Sequence, residues 1–166
     1  MKLFYLAQRV PFPPDRGDKI RSFNEIRHLA GRHEVHVFCL ADGAEDLGNV
    51  AGLEGQVASV HAVRRGDGAS RLRALAALVG GRPFSVGYFR HEGLHRIVRD
   101  AYERLRPDAA IAYSSGMAQY LEPFTDLPRV MDFVDLDSLK WEQYAERKGP
   151  PARWLYATEA HRLLEY

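Results

Sequence analysis

Apolar residues in this chain come in short blocks separated by polar and turn-forming stretches. Leu3-Phe4-Tyr5-Leu6, residues 34–40, 109–113 and 129–134 are continuous apolar or nearly apolar runs. Runs this short, bounded by Gly, Pro and charge, predict strands buried on both faces, as in a parallel sheet. A weaker alternation over 57–63 predicts one more strand. Between the runs the spacing changes. Ile20, Phe23, Ile26 and Ala30 recur at helical intervals, and Gly31 ends that helix. Ser70 is placed to cap a helix carrying Leu72, Leu75, Leu78 and Val79 on one face, and Leu94, Ile97, Val98, Ala101 and Leu105 mark the clearest helix of all. A short helix is expected from Ser114-Ser115-Gly116 to Leu121, and others over 139–147 and 152–166. Residues 41–56 predict a solvent-facing connection with a short helical piece near 45–53, and the aromatic stretch 83–90 has no readable period. Strands alternating with helices at this rhythm predict an α/β fold: a Rossmann-like open parallel sheet with helices on both faces.

Length and charge narrow the function. At 166 residues the chain is long enough for one domain with its own core, read as 1–150. Residues 151–166 read as the start of a helix with no C-cap, leading toward a further domain outside this sequence. A formal net charge of +1 argues against a nucleic-acid binder. The single Cys39, inside an apolar run, excludes an internal disulfide and reads as an inert buried thiol in a reducing compartment. No apolar stretch reaches membrane-spanning length and no signal peptide opens the chain, so the expected location is the cytoplasm.

Three polar clusters are candidates for chemistry. In the first, Arg16, Gly17, Asp18, Lys19 and Arg21 follow the first strand and a proline-rich loop at a helix start, capped by either Asp18 or Ser22. Cations at the positive end of a helix dipole are unfavourable, so the cluster predicts attraction of a phosphate or carboxylate. The loop lacks GxGxxG and a Gly-Lys-Ser/Thr, which excludes a dinucleotide or P-loop site. The second is Tyr113-Ser114-Ser115-Gly116, where hydroxyls and free N–H groups could hold a phosphate or a sugar hydroxyl, or simply cap a helix. In the third, Asp132, Asp135 and Asp137 stand within six residues at a strand end, followed by Trp141. Asp132 and Asp135 could serve as a general base or accept from sugar hydroxyls; Asp137 or Ser138 is also a natural N-cap. The scattered histidines give no metal-ligand spacing. Arg64, Arg65, Arg71, Arg73 and Arg82, near Phe84, Tyr88 and Phe89, suggest a basic and aromatic patch, either solvated or resting on the inner face of a membrane.

With these residues in view, the chain resembles the amino-terminal domain of two-domain (GT-B) family-4 glycosyltransferases, of the branch associated with exosortase exopolysaccharide systems. The resemblance rests on Pro11-Phe12-Pro13-Pro14-Asp15-Arg16-Gly17-Asp18-Lys19-Ile20-Arg21-Ser22, on Arg27-His28-Leu29-Ala30 with Arg32-His33-Glu34-Val35, and on the segment from Asp132 to Trp141. It implies retaining transfer from a nucleotide-sugar, held by the missing domain, to a glycan or lipid-linked acceptor. This domain would bind no cofactor or metal of its own. Arg16, Gly17, Asp18, Lys19 and Arg21 would lie near the donor phosphates, and Tyr113, Ser114, Ser115, Asp137 and Trp141 on the acceptor side. Many relatives carry a His after the strand matching 109–113, where this chain has Tyr113-Ser114-Ser115, so the weight falls on Asp132 and Asp135.

Overall fold

The structure is a computed structural model that describes residues 1–166. Five strands form one all-parallel sheet in the order β3-β2-β1-β4-β5. They are β1 (Lys2–Ala7), β2 (Glu34–Ala41), β3 (Ser59–Arg64), β4 (Ala109–Tyr113) and β5 (Arg129–Asp132). β1 is central: Leu3 aligns with Val35 on one side and Ala109 on the other, and Ala7 with Cys39 and Tyr113. The pleat then sorts each run onto two faces. Phe4, Leu6, Phe38 and Leu40 pack with Leu94 and Val98 of α5 (Glu92–Leu105). Leu3, Tyr5, Val35 and Val37 pack with Phe23 and Ile26 of α1 (Gly17–Ala30). Helices therefore cover both faces, as the continuous apolar strands predict, and Cys39 is a fully buried free thiol whose pKa burial pushes up to about 12.

Elsewhere the expected local features give way to tertiary contacts. The N-cap of α1 is Arg16, without a side-chain cap, so neither Asp18 nor Ser22 fills that role; Ser22 Oγ instead donates to the Asp18 carbonyl within the helix at 2.9 Å. Residues 41–56 form α2 (Ala44–Gly48) and a 3-10 turn (Asn49–Gly52), but the connection is not wholly solvent-facing, because Leu53 is fully buried. The proline-rich loop is anchored here. Phe12 packs on Phe23 and lies against Gly52, where a Cβ would come 2.2 Å from its ring. α3 (Asp67–Val79) starts before Ser70, which is buried within it rather than capping it. The face expected to be its core side points outward: Leu72, Leu75 and Val79 are 70%, 58% and 82% exposed.

α4 (Phe84–Tyr88) packs on α3, and α6 (Ser115–Ala118) is one turn rather than a helix to Leu121. α7 (Asp137–Glu146) and α8 (Ala152–Glu165) pair as a hairpin. α8 is fixed by complementary charges at two helix ends. The fully buried Glu159 accepts from Phe84 N (2.6 Å) and Ser85 N (2.9 Å) at the start of α4. Arg162 donates to the Leu78 and Arg82 carbonyls at the end of α3 (2.6 and 3.2 Å). An anion thus meets free N–H groups at one helix start and a cation meets carbonyls at the other helix's end.

Glu159→Ala leaves the Phe84 and Ser85 N–H groups and the Ser85 hydroxyl without their acceptor and should lower unfolding free energy by about 3 kcal/mol, with Glu159→Gln losing less. Urea denaturation of the three proteins measures the difference.

Candidate functional site

In an open sheet of this order the chain leaves β1 toward one side and β4 toward the other. Their loops part, and a crevice opens beyond the carboxyl ends of the strands. Here it has a volume of about 350 Å³ and is walled by the turn after β1 (Gln8, Arg9), Ser114 after β4, the β5–α7 segment, and Ser85 and Phe89 of α4.

Two of its walls are strained. Ser114 has φ +80° and ψ 151°, a region otherwise almost confined to glycine, and the β-branched Val134 has φ +64°. β5 stops at Asp132, short of the expected 134, where its partner β4 ends at Tyr113. Ser114 is held from two sides: its N–H donates to the Asp132 carbonyl (2.8 Å) and its Oγ to Gln8 Oε1 (3.1 Å).

The three carboxylates of the β5–α7 segment have different surroundings. Asp132 accepts from Arg21 Nη2 with both oxygens (2.9 and 2.7 Å) and from Val134 N (2.8 Å). It is a strut between α1 and β5 and does not wall the crevice with Asp135. Asp135 lines the crevice, exposed and with no side-chain partner. Asp137 is half-buried; Ser115 Oγ donates to it at 3.2 Å and Lys140 Nζ lies 3.9 Å away. Burial raises its pKa above the ordinary carboxylate value, against the opposing pull of Lys140 and Ser115. α7 has no side-chain cap, so capping does not account for Asp137 or Ser138. Trp141 forms one wall, set edge-on to Phe84 at 5.0 Å and tilted against Tyr156 at 5.2 Å.

Tyr113 is turned away from this chemistry. It is buried on the α1 face beside Tyr5 and donates to the Asp18 carbonyl at 2.9 Å, and burial pushes its pKa up to about 12. It therefore does not line the crevice beside Ser114.

The loop after β1 divides between two crevices. Arg16 and Lys19 open on an adjacent, smaller one of about 250 Å³ facing the β2–α2 connection. Lys19 is buried against Asp46 at 3.1 Å, and Arg21 is taken by Glu25 and Asp132, so of the three cations only Arg16 lacks an ion pair. The expected free anion-attracting cluster is thereby corrected to a braced one. Gly17 faces open space and Asp18 lines the larger crevice.

Sequence reasoning passed over Arg9, which stands between the two crevices. It donates to Asp18 (2.7 Å) and Asp42 (3.1 Å), and Asp42 also accepts from the buried Arg65. Burial alone would raise the Asp42 pKa, but Arg65 and Arg9 hold it below the ordinary value. Its signal was positional: Gln8 and Arg9 are the first polar residues after the central strand. Lys19 and Asp135 thus share one sheet edge but not one crevice; the cations walling the Asp135 crevice are Arg9 and Lys140. No group of three or more His, Cys, Asp or Glu side chains converges on a common point.

Sheet order and a polar crevice at the switch point define a Rossmann-like α/β domain. No family model matches the sequence, and no curated protein or solved structure matches the chain.

Ser114→Gly relieves the strained backbone and should raise stability by about 1 kcal/mol, whereas Ser114→Ala should not; denaturant midpoints of the pair measure it. Asp42 stabilises the fold above its ordinary pKa of 3.8, and this contribution is lost as pH falls through its lower folded-state value. Asp42→Asn should therefore flatten the acid limb of the stability–pH curve, read from thermal melts in a pH series.

Proposed function

We propose that these residues form the acceptor-side domain of a retaining GT-B glycosyltransferase, moving a sugar from a nucleotide-sugar to a glycan or lipid-linked acceptor in exopolysaccharide synthesis. The observation that carries this is the convergence of the β1, β4 and β5 loops on one open crevice that combines the free carboxylate of Asp135 and the half-buried one of Asp137 with an indole wall. Carboxylates accept hydrogen bonds from sugar hydroxyls, and an aromatic face packs on the apolar face of a sugar ring. Asp135 is the free acceptor. Asp137, made more basic by burial, would take the acceptor's proton as the acceptor oxygen bonds the anomeric carbon from the same face that the nucleoside diphosphate leaves, which retains the configuration. Lys140 and Arg9 keep the wall from repelling an anionic donor. The nucleotide itself is held by a second α/β domain.

A free-standing module for small anions has less support, because Lys19 and Arg21 already meet carboxylates.

The test uses the full-length gene product with a panel of nucleotide-sugars. Asp137→Asn should lower kcat roughly a hundred- to ten-thousand-fold with donor affinity unchanged, and Trp141→Ala should raise the acceptor KM. A protein that neither binds nor turns over any nucleotide-sugar, or an Asp137→Asn protein of undiminished kcat, overturns the proposal.

A further inference from the structure

Between α3, α4 and the start of α5 lies a second cavity, of about 370 Å³, that takes no part in the crevice. Ala76, Ala77 and Gly80 on one side and Val86 and Gly87 on the other give it an apolar wall. That wall is held in place. The buried Gln119 behind it donates to the Val86 carbonyl at 2.8 Å and to the Gly116 carbonyl at 2.6 Å, which ties α4 to α6.

The polar side of the cavity is under-satisfied. Six buried side-chain nitrogens in the chain have no hydrogen-bond partner, and three of them, Arg73 Nε, His91 Nδ1 and His95 Nε2, belong to this one region. Arg73 walls the cavity from the inward side of α3. It lies one turn from the fully buried Ser70, whose Oγ accepts from its Nη2 at 3.0 Å, and it has no ion pair. A buried donor without an acceptor costs free energy, and a cation left in that state beside an open cavity points to an acceptor from outside the chain.

The other charges cancel. Arg82 pairs with Glu122 and Arg90 with Glu92, each at 2.8 Å. Glu92 also lines the cavity, and the hydrogen bond from Arg90 holds its pKa below the ordinary carboxylate value, so that pair stays ionised and neutral overall. His91 and His95 have lowered pKa values, through burial first and then through Arg73 and Arg90 respectively, and both are uncharged at neutral pH. Arg73 alone is left as an unbalanced cation. The aromatic residues expected to join these arginines in an exposed patch are turned inward: Phe84 packs on Trp141, and Tyr88 lies under the Arg65 guanidinium at 4.3 Å. No helix of the chain is long and apolar enough to cross a bilayer.

We infer that this cavity binds a small monocarboxylate with an apolar body, the carboxylate held by the Arg73 guanidinium and the body lying against Ala76, Ala77 and Val86. A planar guanidinium matches a carboxylate in shape and charge. One unbalanced cation suits one negative charge, whereas a phosphate dianion would bring a second charge toward Glu92. The volume falls within the range of about 300–1,000 Å³ usual for small-molecule sites. α4 serves both hollows, with Val86 and Gly87 here and Ser85 and Phe89 at the crevice. The inference stands on this cavity and does not depend on sugar transfer.

NMR titration of the isotope-labelled chain tests it, with benzoate as the probe and with benzamide and phenyl phosphate as its neutral and dianionic counterparts. Benzoate should shift the amide signals of Ala76, Gly80 and Gly87 saturably, with a Kd of about 1 mM, a range fitting so small a ligand. Benzamide and phenyl phosphate should each bind about tenfold more weakly. Arg73→Leu should remove benzoate binding. Ala76→Trp, at an exposed wall position, should block it sterically with every charge kept, and Arg71→Ser, on the exposed side of α3, should leave it intact. Circular dichroism confirms that each variant is folded; should the Arg73 variant not fold, the Ala76 variant decides. No saturable shift at the wall, binding of benzamide or phenyl phosphate as tight as that of benzoate, or undiminished binding by a folded Arg73→Leu or Ala76→Trp protein overturns the inference.

Discussion

The structure depends on the double burial of β1. This strand is hydrogen-bonded along both edges and covered on both faces, so its residues from Leu3 to Ala7 are all buried and nothing can cross above its carboxyl end without stranding backbone groups. The chain leaves β1 through α1 on the β2 side, and β4 sends it away toward β5. The opening between those paths is unavoidable. Any polar residue placed just after β1, β4 or β5 lands on its rim, which is how Arg9, Ser114 and Asp135 become neighbours.

Around that opening, ion pairs decide which charges remain free for a ligand. Arg21 ties α1 to the end of β5 through Asp132, Lys19 ties α1 to α2 through Asp46, and Asp42 joins Arg9 to Arg65. Partly exposed pairs contribute little stability each. Their effect is positional: they brace three loops and leave Lys19 and Arg21 paired near the positive end of α1. What they leave over is Arg16, the unpartnered Asp135 and the half-buried Asp137. Strain adds to the same picture, since Ser114 and Val134 hold unfavourable backbone conformations just past the ends of the adjacent strands β4 and β5, facing the crevice. Such strain persists only where surrounding contacts over-determine it.

The sheet was legible because buried parallel strands leave a signature that no solvent-facing element shares. β4 matches its expected bounds, set by Pro107-Asp108 and by Ser114. Where reading failed, the missing information was long-range or conformational. Arg21 and Asp132 are 111 residues apart, so neither residue's neighbours disclose the pair, and Asp132 read as a base by its company with Asp135. The early end of β5 falls where its partner β4 ends at Tyr113, and the left-handed valine just beyond it has no glycine in the sequence to mark it. The crevice was legible as an edge of the sheet; how its charges divide between two hollows was not.

α3 shows why a periodic helix can be recognised and still be turned the wrong way. Periodicity says that a helix has two faces and leaves open which one meets the protein. Here the choice follows from how closely α3 and α4 approach. A Cβ on Gly87 would stand 2.4 Å from Ala77 Cβ and 2.6 Å from the Arg73 carbonyl, so the contact admits only small groups. Ser70, Ala74 and Ala77 fill that side of α3, and no leucine would fit there without separating the helices. The large apolar residues are therefore displaced to the outer surface by the packing itself. Burying them would require a wider α3–α4 spacing, which would pull Ser85 and Phe89 away from the crevice they help to wall. The same small-residue contact that shapes the crevice is what leaves an aliphatic stripe on the outer surface.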